Sequence, residues 1–118
     1  MNDTERKRRL YIAGPMSGIP DFNYPLFNEV AAFYRAEGYH VENPAENTID
    51  ASIAEPFLQW QALMRLSIAQ LITCDVVVVL PDYIASRGAA LEVHIAKSIG
   101  IPIFDERVLR ATFTRNPE

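Results

Sequence analysis

The sequence of 118 residues holds a single cysteine, Cys74, and therefore no internal disulfide. That scarcity fits a reducing compartment. No apolar run approaches the ~20 residues that a membrane helix needs, and the first ten residues, MNDTERKRRL, lack the apolar core of a secretory signal. A cytoplasmic protein with no membrane partner is expected. Basic charge is also short, with 11 Lys and Arg against 15 Asp and Glu, a net charge of -4 and a pI near 5.1. Such a balance argues against nucleic-acid binding by phosphate neutralisation. It leaves room for one small anionic ligand, because a local site can oppose the global field. The run Arg6, Lys7, Arg8 and Arg9 reads as a solvated tail, with residues 1–8 flexible and leading into a first strand. The two histidines, His40 and His94, have no Cys or His partner at metal spacing, so neither a metal nor a cofactor is expected. The three-glycine dinucleotide fingerprint and the Walker lysine are missing as well.

What is present is 49% hydrophobic content, enough to fill one core at this length. Short β-rich runs alternate with helical stretches. Leu10–Ala13 reads as a strand stopped by Gly14-Pro15. A helix follows from Pro25, with Leu26, Phe27, Val30, Phe33 and Tyr34 on its apolar face and Gly38 at its end. Tyr39–Glu42 is a second strand, ended by Asn43-Pro44. From Pro56 to Cys74 the helical period returns, with Phe57, Trp60, Met64, Ile68, Leu71 and Ile72 on one stripe. Asp75–Leu80, with four valines and no alternation, is a strand buried on both faces, as in a parallel sheet covered by helices. Gly88–Ile99 is helical, Ile101–Phe104 is an edge strand because of Pro102, and a short helix begins at Asp105. The expected fold is a single α/β domain over 1–118. It is a three-layer sandwich with a mainly parallel sheet of four to five strands in the order 2-1-3-4, Rossmann- or flavodoxin-like. The ligand crevice then falls between strands one and three, at loops 14–23 and 81–88.

Glu92 is the most informative residue at that crevice. At ~100° per residue it shares a face with Gly88, Ile95, Ala96 and Ile99, the face that packs on the sheet, while His94, Lys97 and Ser98 face solvent. It is a carboxylate in an apolar stripe. Desolvation raises its pKa, while the helix N-terminus and nearby donors lower it. A structural Glu satisfied by loop amides is the plainer alternative, and the position at the switch point favours function. Ser86, Arg87 and Gly88 open the same helix, where free amides bind anions. Ser86 equally serves as an ordinary N-cap, and Arg87 either pairs with a phosphate or faces water. The loop Gly14-Pro15-Met16 lets a flat ligand approach the backbone. Tyr11 points either into the crevice or into the core. Asp82 lies at the crevice end of its strand and is the better acid candidate, since Asp75 lies at the opposite end. Cys74, Trp60 and Met64 read as core.

Four segments taken together, Y-I-A-G-P-M at 11–16, N-P-A-E at 43–46, C-D-V-V-V-V-L-P-D at 74–82 and S-R-G-A-A-L-E at 86–92, resemble the nucleoside 2-deoxyribosyltransferase superfamily. The nearest likeness is to its small branch of uncharacterised bacterial and phage domains, over residues 9–104. The resemblance implies that Glu92 is a nucleophile attacking the anomeric carbon of a nucleoside or nucleoside 5′-monophosphate, as in retaining glycosidases. It implies that Tyr11 and its loop (Gly14, Pro15, Met16), with Asn43 and Pro44, line the nucleoside pocket. Ser86, with Arg87 and Gly88, is implied to hold a 5′-phosphate. It further implies a homo-oligomer, a dimer or tetramer, for which Phe22, Tyr24 and Phe57 are candidate exposed aromatics. One position departs from the pattern. Ser67 stands where the superfamily carries an aspartate beside the nucleophile. A serine cannot deliver a proton at neutral pH, and loss of a general acid typically costs ~10²–10⁴-fold in rate. Asp82 or a partner-subunit group then supplies the acid, or the domain binds nucleotides with little or no catalysis.

Overall fold

A computed structural model describes residues 7–114. Of the tail expected over 1–8, residues 1–6 lie outside the described residues, while Lys7 and Arg8 are exposed. Arg9 belongs to the sheet and not to that tail: its guanidinium reaches Glu42 (2.9 Å) and Thr73, and its amide donates to Asp75. The chain runs β1 (Arg9–Ala13), α1 (Tyr24–Ala36), β2 (His40–Glu42), α2 (Pro56–Leu71), β3 (Val76–Val79), α3 (Arg87–Ser98), β4 (Ile103–Asp105) and α4 (Glu106–Thr114). The four strands form one sheet in the order β2-β1-β3-β4, and every pairing is parallel. The architecture is thus the expected three-layer α/β sandwich of Rossmann/flavodoxin type, with four strands.

The two faces of the sheet build separate cores. The side-chain period of two along a strand sends Leu10, Ile12, Val76, Val78 and Leu80 to one face, against Phe27, Val30, Ala31 and Tyr34 of α1 and Leu109 and Phe113 of α4. Tyr11, Ala13, Val77 and Val79 go to the other face, against Leu71 of α2 and Val93 and Ala96 of α3. All four valines of β3 are buried, as a central parallel strand requires. β4 is the edge strand. Pro102, just before it, offers its carbonyl to the amide of Val77 (2.9 Å), so the missing N–H costs the ladder nothing.

Two apolar stripes differ from expectation. On α2 the buried positions are Met64, Ser67 and Leu71, at spacings of three and four, and Phe57 and Ile72 are exposed. Phe57 continues the seven-residue register of Met64 and Leu71 but lies in the exposed first turn, and Ile72 is the C-cap beyond the last buried position. Ile99 is also exposed, because α3 stops at Ser98 and Ile99 is the residue beyond the last helical turn. Gly88 packs on α2, where a side chain would meet the sulfur of Met64 at 3.1 Å, and not on the sheet.

Candidate functional site

β1 lies at the centre of the sheet, so Tyr11 is fully buried on the α2/α3 face. Its ring is core and its hydroxyl reaches the crevice residue: it donates to Glu92 Oε2 at 2.8 Å across 81 positions of sequence. Of the two orientations left open by the sequence, the side chain takes the core. Glu92, in the second turn of α3, is 6% exposed. Burial pushes its pKa up to about 7, and the phenol's hydrogen bond pulls the other way. The Tyr11 pKa rises well above its ordinary value through burial and, next, through the neighbouring carboxylate. Among the described residues the second carboxylate oxygen, Oε1, has no hydrogen-bond partner. Among the described residues every fully buried side-chain oxygen is paired, so Oε1 is where Glu92 meets solvent.

Ser67 belongs to the same cluster. It is buried on α2, and its side chain offsets part of the rise in the Tyr11 pKa. Its own oxygen accepts from Asn47 Nδ2 at 3.5 Å, and Asn47 and Gln70 exchange a reciprocal pair of amide bonds at 2.9 and 2.8 Å. Asn47 and Gln70 went unnoticed in the sequence. Their only signal was their position, in a polar irregular segment and on a mostly apolar helix.

Other predicted residues hold the scaffold. The Ser86 hydroxyl accepts from the amide of Ala89 (3.2 Å), so it is the N-cap of α3. Arg87 is exposed and, among the described residues, makes no ion pair with a carboxylate; its guanidinium lies 4.1 Å from the centre of the Trp60 ring and 5.5 Å from that of Phe57, and the two rings are stacked. Gly14 does permit a close approach, and the group that uses it is the Leu80 side chain, which a Cβ would meet at 2.8 Å. Asn43 is buried, caps the turn at Pro44 by accepting from Ala45, and donates to Asn28. Pro15 is buried and Met16 packs on the α1 core. Asp82 is exposed and no hydrogen bond joins it to Tyr11 or Glu92; its field acts on Arg107. Cys74 is buried, with its thiol pushed up to about 11 by desolvation.

Four non-glycine residues among those described adopt left-handed backbone: Asp21, Phe22, Asn23 and Asp82. All lie in the two loops that border the crevice. Such residues cost of order 1 kcal/mol each and gather where a site is being shaped. Two hollows, of about 370 and 270 Å³, lie elsewhere, one beside Glu106 and Arg110 and one on the outer side of α3 at Tyr83 and His94. Glu92 lines neither, so the open basin expected around it is not one of these two; the carboxylate is nearly closed over. Among the described residues no three His, Cys, Asp or Glu side chains gather at metal distance, and no helix is long and apolar enough to cross a membrane.

A solved structure, "Crystal structure of conserved protein from Enterococcus faecalis V583", is similar to this chain, with a TM-score of 0.60 and 21% identity. The likeness covers 83% of this chain and 62% of that one, so the chain spans less than two thirds of this relative's length. At that identity it shows the fold. No curated protein matches the chain. Residues 8–105 match the family described as "Domain of unknown function (DUF4406)", and with most of its length inside that match the chain belongs to this family.

Proposed function

We propose that the chain cleaves or transfers the N-glycosidic bond of a nucleoside or nucleoside 5′-monophosphate, with Glu92 as nucleophile. The supporting observation is the pair of Tyr11 and Glu92: a buried carboxylate held by one phenol and, among the described residues, with no cation in contact and one oxygen unengaged, beside the switch point of a parallel sheet. In this reading Oε1 attacks the anomeric carbon. The C–N bond breaks, the base leaves with its electron pair and takes up a proton, and a glycosyl ester forms on Glu92. Water or a second base then attacks the same carbon and frees the carboxylate. Tyr11 holds the carboxylate in place and favours its ionised form. Asp82, in the neighbouring loop, is the acid the proposal assigns to the departing base. The amides at the start of α3, with Ser86 and Arg87, are assigned to a 5′-phosphate. The crevice must open around Oε1 as substrate binds, and the strained loop residues border it. The site is assigned to a cytoplasmic homo-oligomer, a dimer or tetramer, using the exposed rings of Phe22, Tyr24 and Phe57.

The test is to incubate the protein with a panel of nucleosides and their 5′-monophosphates and measure free base. Release is expected with at least one, with a sugar adduct in the intact-protein mass and loss of both in Glu92→Gln. Because attack needs the ionised carboxylate, kcat/KM is expected to rise with pH through about 7. No base released across the panel, with Glu92→Gln indistinguishable from the unmodified protein, overturns the proposal.

A second reading is a nucleotide-binding domain without turnover. Ser67 favours it, since a neutral hydroxyl stands beside Tyr11 where the resembling superfamily carries an aspartate. It expects thermal stabilisation by a nucleotide without base release, and a gain of activity in Ser67→Asp.

A further inference from the structure

The two edges of the sheet are finished differently. At β2 the amide of His40 bonds the carbonyl of Arg8, so Val41 turns its backbone groups outward, and the Arg35 guanidinium closes the Val41 carbonyl at 2.9 Å. At β4 the amide of Val77 bonds the carbonyl of Pro102, and Val77 stands in register with Ile103. Backbone groups alternate in direction along a parallel ladder, so Phe104 faces β3 and Ile103 turns both its N–H and its C=O outward. Among the described residues no hydrogen bond reaches that outward pair. The edge is also apolar on both faces of the sheet. Tyr83, Ile101 and Ile103 sit half-buried at the rim of the α2/α3 core, and Phe104, on the other face, is 43% exposed. α3 turns Gly88 toward α2; at ~100° per residue Ala90, Val93, His94 and Lys97 form its opposite flank, on the β4 side. With Tyr83 and Ile84 they line the hollow of about 270 Å³, and Ile84 is 76% exposed. An open apolar edge of this kind is a surface that proteins keep covered.

We propose that this edge docks a second copy of the chain, with the two β4 strands antiparallel about Ile103 across a two-fold axis. A residue that offers both backbone groups is self-complementary: Ile103 of each copy gives its N–H to the carbonyl of the other, and the two four-stranded sheets become one. The axis stands perpendicular to the sheet, so the incoming Ile103 side chain lies on the α3 face, toward the hollow. Charge sets the same direction. The crevice end of the flank carries Asp82, Asp105 and Arg107, a net negative charge, and the far end carries Lys97. An antiparallel mate sets acidic end against basic end, and a parallel one sets like against like. This contact uses none of the rings of Phe22, Tyr24 and Phe57, and it does not depend on glycosyl transfer.

The experiment is sedimentation equilibrium of the full chain at tens of micromolar, where a mass of twice 13.3 kDa is expected. Phe104→Lys and Ile84→Lys put cations at the contact on positions already exposed. Each is expected to raise the dimer Kd by about tenfold or more, with the circular dichroism spectrum unchanged. Ile103→Cys reads the register. A bonded antiparallel pair holds its Cα atoms about 5.5 Å apart, within disulfide reach, so mild oxidation is expected to link the two copies. Leu58→Cys, exposed on α2, is expected to stay unlinked. A dimer whose Kd is unchanged in both lysine variants overturns the proposal, as does linking at Leu58→Cys that is as fast as at Ile103→Cys. A monomer overturns it too, and its conversion to a dimer by removal of residues 115–118 would assign the edge to the chain's own end.

Discussion

Each face of the sheet buries one tyrosine and one glutamate, and the two pairs are built on opposite principles. On the α1/α4 side Glu106 is 4% exposed, and Arg110 holds it at 2.7 Å. The same guanidinium binds Glu29 and lies 4.4 Å from the centre of the Phe33 ring. The Tyr34 hydroxyl there meets the backbone carbonyl of Glu106, and four aromatic rings (Phe33, Tyr34, Tyr39 and Phe113) pack edge to face around it. On the α2/α3 side Glu92 is equally buried, but among the described residues its one side-chain hydrogen-bond partner is a phenol. A buried charge with a cation is a finished structural joint. A buried carboxylate without one is left poised between two protonation states, which is the expected condition of a group kept for chemistry.

Breaking the finished joint should have the largest effect. Arg110→Ala leaves Glu106 buried without its cation and also removes the contacts with Glu29 and Phe33. Loss of one partner of a buried pair costs about 3–5 kcal/mol, and the quarter exposure of Arg110 brings the expectation to the lower end, about 2–3 kcal/mol. Urea unfolding at neutral pH measures it, and a loss below ~1 kcal/mol would place this pair with ordinary surface bridges.

Neutralising the other glutamate should have the opposite sign. The native state holds the Glu92 proton up to about pH 7, against an ordinary value of 4.5. Between those values the folded chain binds more protons than the unfolded one, so stability falls as pH rises through this window. Below about 4.5 the carboxyl is neutral in both states and imposes no penalty. Above about 7 the penalty is complete, about 3 kcal/mol at 1.36 kcal/mol per unit. Glu92→Gln is therefore expected to be no more stable than the unmodified protein at pH 4.5, and more stable by up to about 3 kcal/mol at pH 8. A difference that stays flat across this range would mean that Glu92 is ionised throughout, and the contrast with Glu106 would vanish. Gly14→Ala probes a smaller constraint, the space that Leu80 already fills at 2.8 Å, and overpacking there should cost about 1–2 kcal/mol by the same unfolding measurement.

How much of this was legible in the sequence depends on the distance over which each feature is set. The valines of β3 and the period of α3 carried the sheet order and the burial of Glu92, because both are read from neighbours within one element. The N-cap at Ser86 was visible for the same reason. Ile72 was misread because an apolar stripe was fitted to apolar residues, while the buried register of α2 runs through a serine; Phe57 lies on that register but in the exposed first turn. The phenol on Glu92, the Trp60 ring under Arg87 and Leu80 against Gly14 are contacts across 81, 27 and 66 residues, set by how helices seat on the sheet. In the left-handed run, Asp21 and Asn23 are residue types that favour such backbone, while Phe22 carries no local signal, since Phe seldom adopts it.

The smallest effect sharpens the comparison at the entrance to α3, where Ser86 stands in both a structural and a ligand-binding role. Its hydroxyl accepts from the amide of Ala89, so Ser86→Ala strips one cap bond from the helix that carries Glu92. A lost cap costs ~1 kcal/mol, or roughly 3–6 °C of melting temperature for a domain of this size. That loss is expected with or without ligand. If the same hydroxyl also receives a phosphate, the stabilisation that a nucleoside monophosphate confers should shrink further in Ser86→Ala, while that conferred by the parent nucleoside should not. Equal shrinkage for both would leave Ser86 as a cap alone, and the α3 entrance would then belong with the Arg110 face as finished structure.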